Sequence, residues 1–324
     1  MKPSLCSAVL IALTGMSCYS NEVSDEDKLS IYSDSATVHY QQNDLARAES
    51  QALKGLAIDK HHVPLNLMMG QILLRQDNPI TLGRAEMIFR RLADSEDDYR
   101  VSIGLATTLE RLGMAHAQAA EAIAAGTKKA MEEDPLVGIN RHEENALRLR
   151  TESLEVFGQA LAKRAKNLKA LNGSMRVSAA LGQFNESLGF CDVLLTTLAA
   201  ESEFWTSQLQ NGNLNEIEES RLRKEVTGAS DLMCNASILA STLEQELGRN
   251  DAALDRLSFV IGINPDRSEA FSMRAQILAD NGKYAEAVAD ISRFLSLSEK
   301  PYHHPDIRKA FELQTTWNRN LRRR

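Results

Sequence analysis

An all-α fold, an α-solenoid of stacked helix–turn–helix units, is predicted by two observations in this 324-residue chain. The first is composition: hydrophobic residues make up 43% of the sequence while aromatics supply only 5%. The apolar content is therefore mostly Ala and Leu, which favour helices and let them approach closely. The second is a spacing. Gly248 and Gly282 stand 34 residues apart, as do Ala253 and Ala287, Leu257 and Ile291, and Val260 and Phe294. Apolar residues recur three and four apart on both sides of each glycine, which is the pattern of two amphipathic helices joined by a tight turn. One such pair cannot shelter its own apolar face, so repetition implies stacking. About five to six units are expected, with a capping helix at the C-terminal end.

Residues 1–18 read as an export signal. Lys2 provides a positive start, and Leu5 to Leu13 is apolar but too short for a bilayer-spanning helix of about 20 residues. The segment ends in Ser17 and Cys18. It resembles a bacterial lipobox, where a small residue precedes a cysteine that is lipidated and becomes the new N-terminus; Gly15 stands where that motif usually carries Leu. The resemblance implies lipidation at Cys18 and an exported, membrane-anchored lipoprotein facing the periplasm, with a soluble periplasmic or secreted protein as the alternative. Residues 19–28 are polar and acidic and read as a tether.

Residues 29–134 carry the N-terminal repeats. In the first copy, from Leu29 to His62, Tyr32, Ala36, Leu45 and Ala48 take the aromatic, small, turn and close-contact positions. The next has Gly70 and Leu73 in its first helix and Ala85 and Phe89 in its second, with an insertion around Pro79 expected to lengthen the turn. Ile103, Gly104 and Gly113 mark a degenerate unit. Residues 135–200 hold further degenerate copies, in which Phe157 and Cys191 are again 34 apart and Gly182 and Phe184 mark a turn. Between Ile139 and Lys166 one long helix and a helical pair fit equally well. Residues 201–231, rich in Glu, Gln, Asn and Ser, read as an insertion with its own helix after Asn211, Gly212 and Asn213. Residues 232–300 hold the two clearest copies. In residues 301–324, Ile307, Phe311 and Trp317 fall near one another on a capping helix that Asp306 is placed to cap. Arg319, Arg322, Arg323 and Arg324 follow as a solvated basic tail.

Residues 269–291, EAFSMRAQILADNGKYAEAVADI, closely resemble a tetratricopeptide repeat. Phe271 takes the early aromatic position, Ala275 the small position, Gly282 and Tyr284 the turn, and Ala287 the close-contact position. The copy from Leu232 to Pro265 matches through Gly248, Ala253 and Pro265 and departs at Ser237, where the family has an aromatic. The small residues have a physical reason, since a methyl group lets two helices approach where Leu would hold them apart. The resemblance, which extends to bacterial repeat lipoproteins, implies a non-enzymatic adaptor whose first helices line a concave groove for a peptide segment or partner helix. Carried over, the groove positions are Leu67, Met68, Gln71, Ile238, Leu239, Thr242, Met273 and Gln276. Glu269 and Met273 stand where cations would be needed to grip a terminal carboxylate, so a neutral, apolar segment is the expected ligand. The alternative is a permanent structural subunit of an envelope complex, for example in outer-membrane or pilus assembly.

No catalytic residue, cofactor or metal site is expected. The sequence has no Gly-rich phosphate loop and no nucleophile elbow. His142 begins the nearest approach to a zinc helix but lacks a second His one turn on, and a solvated helix face is expected there. His61, His62, His303 and His304 fall in expected loops. Cys191 and Cys234 read either as a disulfide or as two buried thiols. The net charge of −7 disfavours nucleic acid and anionic lipid as general partners. Glu218 with Arg221 and Glu219 with Arg223 read as surface ion-pair lacing.

Overall fold

The computed structural model describes residues 23–131 and 134–322; the export signal, Cys18, residues 19–22 of the tether, Arg323 and Arg324 lie outside the described residues. The described residues form thirteen α-helices and no strand. The chain divides into two compact units, one through Ile72 and one from Leu73 onward. The first holds α1 (Asp25–Gln41), α2 (Leu45–Ile58) and most of α3 (Val63–Gln76). The second holds α4 (Pro79–Ser95), α5 (Tyr99–Ala124), α6 (Pro135–Lys163), α7 (Leu168–Ala180), α8 (Phe184–Asn211), α9 (Glu216–Glu246), α10 (Asn250–Ile263), α11 (Ser268–Asp280), α12 (Tyr284–Leu297) and α13 (Pro305–Leu321). Within the second unit each helix packs on its neighbour in sequence, and α5 also reaches α7. Within the second unit α5–α6, α7–α8, α9–α10 and α11–α12 are helical pairs followed by the terminal α13, and residues 139–163 belong to one long helix.

Two features make the pairs fold where they do. The turns share one backbone motif. Asn43, Asp77, Gly182, Gly248 and Gly282 all have φ between 52° and 75°. After α9, Gly248 N–H donates to Gln245 O (2.8 Å) and Arg249 N–H to Glu244 O (2.8 Å); Gly282 and Lys283 repeat this after α11 (2.9 and 2.8 Å). Such a left-handed residue satisfies carbonyls that the helix end would otherwise leave open. The second feature is small residues at the crossings: Ala36, Ala48, Ala253, Ala275 and Ala287 are fully buried. Between successive helical pairs of the second unit, glycine goes further. A Cβ on Gly104 would lie 2.3 Å from the ring of Phe89, and one on Gly173 would lie 2.1 Å from the ring of Phe157. In each case a fully buried phenylalanine of one helix pair is seated on a glycine of the next.

Four expectations are corrected. The acidic run of the tether is partly helical: Ser24 caps α1 by accepting from Asp27 N–H (3.1 Å), and Asp25, Glu26 and Asp27 fill its first turn, where carboxylates oppose the positive helix end. Pro79 does not lengthen a turn, because it occupies the first position of α4, where a missing N–H is harmless, and Asn78 caps it. Residues 201–231 are not a separate insertion but the far halves of α8 and α9, which run 28 and 31 residues against 13 or 14 for α7, α10, α11 and α12. Their polar character reflects helix faces that stand in solvent beyond the stack. Leu222 and Ala229 are nevertheless buried, and Trp205 packs against the core built around Leu194, Leu198 and Met233.

The fourth correction concerns the terminal helix. His304, not Asp306, caps α13, its Nδ1 accepting from Asp306 N–H (3.3 Å), while Asp306 pairs with Lys300. Ile307, Ala310 and Trp317 enter the core with Phe271, Ile291 and Phe294. Phe311 instead lies partly exposed, its ring centroid 5.2 Å from that of Tyr302. A cap offers only one face to the stack, and Phe311, one turn after Ile307, falls at its rim.

Candidate functional site

The C-terminal cleft is the one closest to the groove residues read from the sequence. It encloses about 560 Å³ and is lined by Glu269, Ser272, Met273 and Gln276 of α11, by Phe294 and Ser298, and by Lys309, Ala310 and Leu313 of α13. Met273 and Gln276 are three apart and so share one face of α11. The cap therefore does more than close the core: Leu313 adds apolar surface and Lys309 a cation to a wall that also holds Glu269. Arg274 forms a two-point ion pair with the buried Asp290 of α12 (2.7 and 2.9 Å) and takes no part in this cleft.

The other groove positions are distributed differently. Leu67 is buried, and Met68 and Gln71 are half-buried in α3. Ile238 packs against the core of Cys234, Ala253 and Leu257, and Leu239 against that of Leu171, Met175 and Ala236, so much of their apolar surface serves packing. Thr242 is exposed. Among the repeat-defining residues, Gly70 is buried, Pro265 sits in an exposed turn, and Tyr284 opens α12 against the core.

A larger cleft, of about 710 Å³, has no counterpart among the sequence expectations. Its wall is the part of α5 that outruns the repeat. Nothing in the Ala-rich stretch after Gly113 breaks the helix until Gly126, whose φ is 70°. The chain returns as α6, capped by Asp134 with Pro135 at its start. Met114, Gln118 and Ala122 of α5 line the cleft with Lys128, Leu82 of α4 and Arg176 of α7. Two ion pairs set its floor: Arg176 binds the buried Glu110 at two points (2.7 and 2.8 Å), and Arg111 lies 2.7 Å from Asp77. Met114 is 47% exposed, a flexible apolar group set among charges. The sequence signal that could have located this cleft is the 34-residue interval between Asn43 and Asp77, both at left-handed turn positions. It fixes where α4 begins and hence which face α5 presents.

His142 is not on a solvated face as expected. Its Nδ1 lies 2.8 Å from Nδ1 of His116 on α5, and the ring centroids are 5.0 Å apart. Burial lowers the pKa of His116 below its ordinary value, reinforced by the nearby charges of His142, Arg148, Arg141 and Lys128. Cys191 and Cys234 are both free and buried, in separate cores. Burial pushes the Cys191 thiol up to about 11. Arg223 pairs with Glu219 (2.6 Å) as the helical spacing predicts. Among the described residues, no three His, Cys, Asp or Glu side chains come together as metal ligands, and no helix is long and apolar enough to cross a membrane.

Paired antiparallel helices, a 34-residue interval, left-handed turn residues and buried alanines at the crossings together define a tetratricopeptide-like helical-repeat protein. No family model and no curated protein matches the sequence. Several solved structures are similar in outline. A double mutant of MamA RS-1 is 10% identical, with a TM-score of 0.48 over 72% of this chain and 93% of that one. A thermophilic TPR protein of Thermus thermophilus is 12% identical, with a TM-score of 0.42 over 79% and 100%. A tetratricopeptide repeat protein from Parabacteroides merdae is 13% identical, with a TM-score of 0.40 over 89% and 99%.

Proposed function

We propose that this protein is a non-enzymatic scaffold that holds a protein partner, as an extended segment or a helix, in the C-terminal cleft. The observation that carries this reading is the meeting of Met273 and Gln276 with Leu313 and Lys309 across an open cleft, which supplies apolar anchors and polar groups for a backbone. Lys309 widens the expected ligand from neutral to one that tolerates an acidic residue beside its apolar anchor. The sequence of the first eighteen residues supports an envelope location with Cys18 as a lipid anchor, and this is part of the proposal.

A second reading, a permanent structural subunit, draws on the tips of the long hairpins. Met131, Leu136 and Val137 beside the α5–α6 turn are 91%, 59% and 53% exposed, and Phe204 and Ile217 near the α8–α9 turn are 59% and 82% exposed. Photo-crosslinkers placed in cells at Gln276 and, separately, at Ile217 distinguish the two. A scaffold gives substoichiometric products at Gln276 that Met273→Glu abolishes. A structural subunit gives one stoichiometric product at Ile217 that Met273→Glu leaves intact. The absence of any product at Gln276 rejects the scaffold reading.

A further inference from the structure

We infer that the His116–His142 pair is a proton-operated latch on the α5–α6 hairpin: it ties the two helices while at least one ring is neutral, and releases the far end of the hairpin when both are charged. The Nδ1 atoms are 2.8 Å apart, close enough for only one proton to lie between them. One ring must therefore offer an unprotonated nitrogen. Adding the second proton sets N–H against N–H and places two positive rings side by side.

The surroundings sharpen this. Arg141 and Arg148 on α6 and Lys128 in the connecting turn act on His116 with the same sign as a charged His142. Among the described carboxylates of this stretch, Glu121 on α5 and Glu143 on α6 line a separate cleft of about 320 Å³ with Arg150, Asp134 caps α6, Glu144 is exposed, and Glu152 lies 3.9 Å from Arg148. On the packed neighbours, Glu110 is engaged by Arg176 of α7 and Arg111 by Asp77. The buried residues beyond the pair are Ala119, Ala120, Ile123 and Gly138, with Ala130 in the connecting turn, and Ile123 is the one large apolar side chain among them.

The direction of the pH effect follows. The proton affinity of His116 is lowered in the folded state by burial first and by the neighbouring positive charges second. The latch therefore contributes fully above the ordinary histidine value of 6.5 and is lost as pH falls through the lowered one. Release would free Gln118 and Ala122 from their place in the wall of the larger cleft, so acid empties that cleft; this consequence alone rests on the larger cleft being a second surface of the scaffold proposed above.

Hydrogen exchange on the full chain, without ligand and with a chelator present, tests the latch. Protection of residues 114–124 and 135–146, corrected for intrinsic rates, is compared at pH 7.5 and 5.0 with that of α11 as internal reference. The expected result is a selective loss of about tenfold per pK unit of depression, abolished in His116→Gln/His142→Gln, whose amides bond without titrating. Equal changes in hairpin and reference overturn the proposal, as does an unchanged pH response in the double variant. Should that variant not fold, NMR titration of the wild-type rings decides: two separated steps support the latch, and overlapping titration near the ordinary value overturns it. Because no ligand is added, failure here is distinct from failure of the binding reading.

Discussion

Gly173→Ala inserts one methyl group where the ring of Phe157 already lies, at 2.1 Å from the ideal Cβ position with two more ring carbons at 2.5 and 2.6 Å. Phe157 is fully buried, so its ring is enclosed by other protein atoms. Overpacking of a well-filled core costs about 1–3 kcal/mol, and the closeness of this contact puts it at the upper end. Alanine regains about 1 kcal/mol of helix propensity over glycine. The net expectation is a loss of about 2 kcal/mol, or about 4–8 °C in the melting temperature of a unit of this size. Gly158→Ala is the matched control. It lies in the interior of α6 with no atom within 4 Å of its ideal Cβ, so only the propensity gain operates and the melting temperature should rise by about 2–4 °C. Circular dichroism melts of both variants make the comparison, and Phe157→Leu combined with Gly173→Ala should lose less than the sum of the two single changes. A Gly173→Ala protein as stable as the wild type would refute the claim that ring and glycine are interlocked.

Three further outcomes are expected. Ala287→Leu, at a fully buried crossing of α12, should lower stability by about 1–3 kcal/mol in urea denaturation. Cys191 and Cys234, both buried and both with raised pKa values, should resist a thiol reagent at pH 8 in the native protein and react in guanidinium, with two equivalents taken up by a chain truncated after Cys18. Arg176→Met should cost about 1–3 kcal/mol at neutral pH by stranding the buried carboxylate of Glu110, and Arg176→Lys, which keeps the charge but not the two-point geometry, should recover part of it.

The C-terminal half is legible in the sequence because its rules are written in single residues. Glycine at 248 and 282 and alanine at 253 and 287 are nearly the only side chains compatible with a left-handed turn and a close crossing, so their interval discloses the unit. Asn43 and Asp77 perform the same backbone task with side chains that also serve many other roles, so their interval does not stand out. The α5–α6 hairpin is obscured for another reason. Residues 115–125 are almost all alanine, histidine, glutamine and glutamate, which specify helix strongly but mark no end until Gly126. The far halves of α8 and α9 read as an insertion because a helix that leaves the stack exposes most of its circumference and loses its apolar stripe. Of the residues lining the C-terminal cleft, Met273 and Gln276 can be placed from the repeat alone. Lys309 and Leu313 cannot, since they belong to the terminal helix, which has no counterpart earlier in the chain. His116 and His142 are 26 residues apart, and only the length of the hairpin makes them meet.

The two overgrown hairpins differ in kind, because α5 to α6 joins helices within a pair whereas α8 to α9 joins one pair to the next. Each tip depends on its own two helical legs for shape, so whole turns can be added to or trimmed from it without asking the rest of the molecule to rearrange. Evolution and the protein engineer thus have two independently adjustable arms on one frame, and a probe grafted at the exposed Asn213 can report on one arm while the other is left to work.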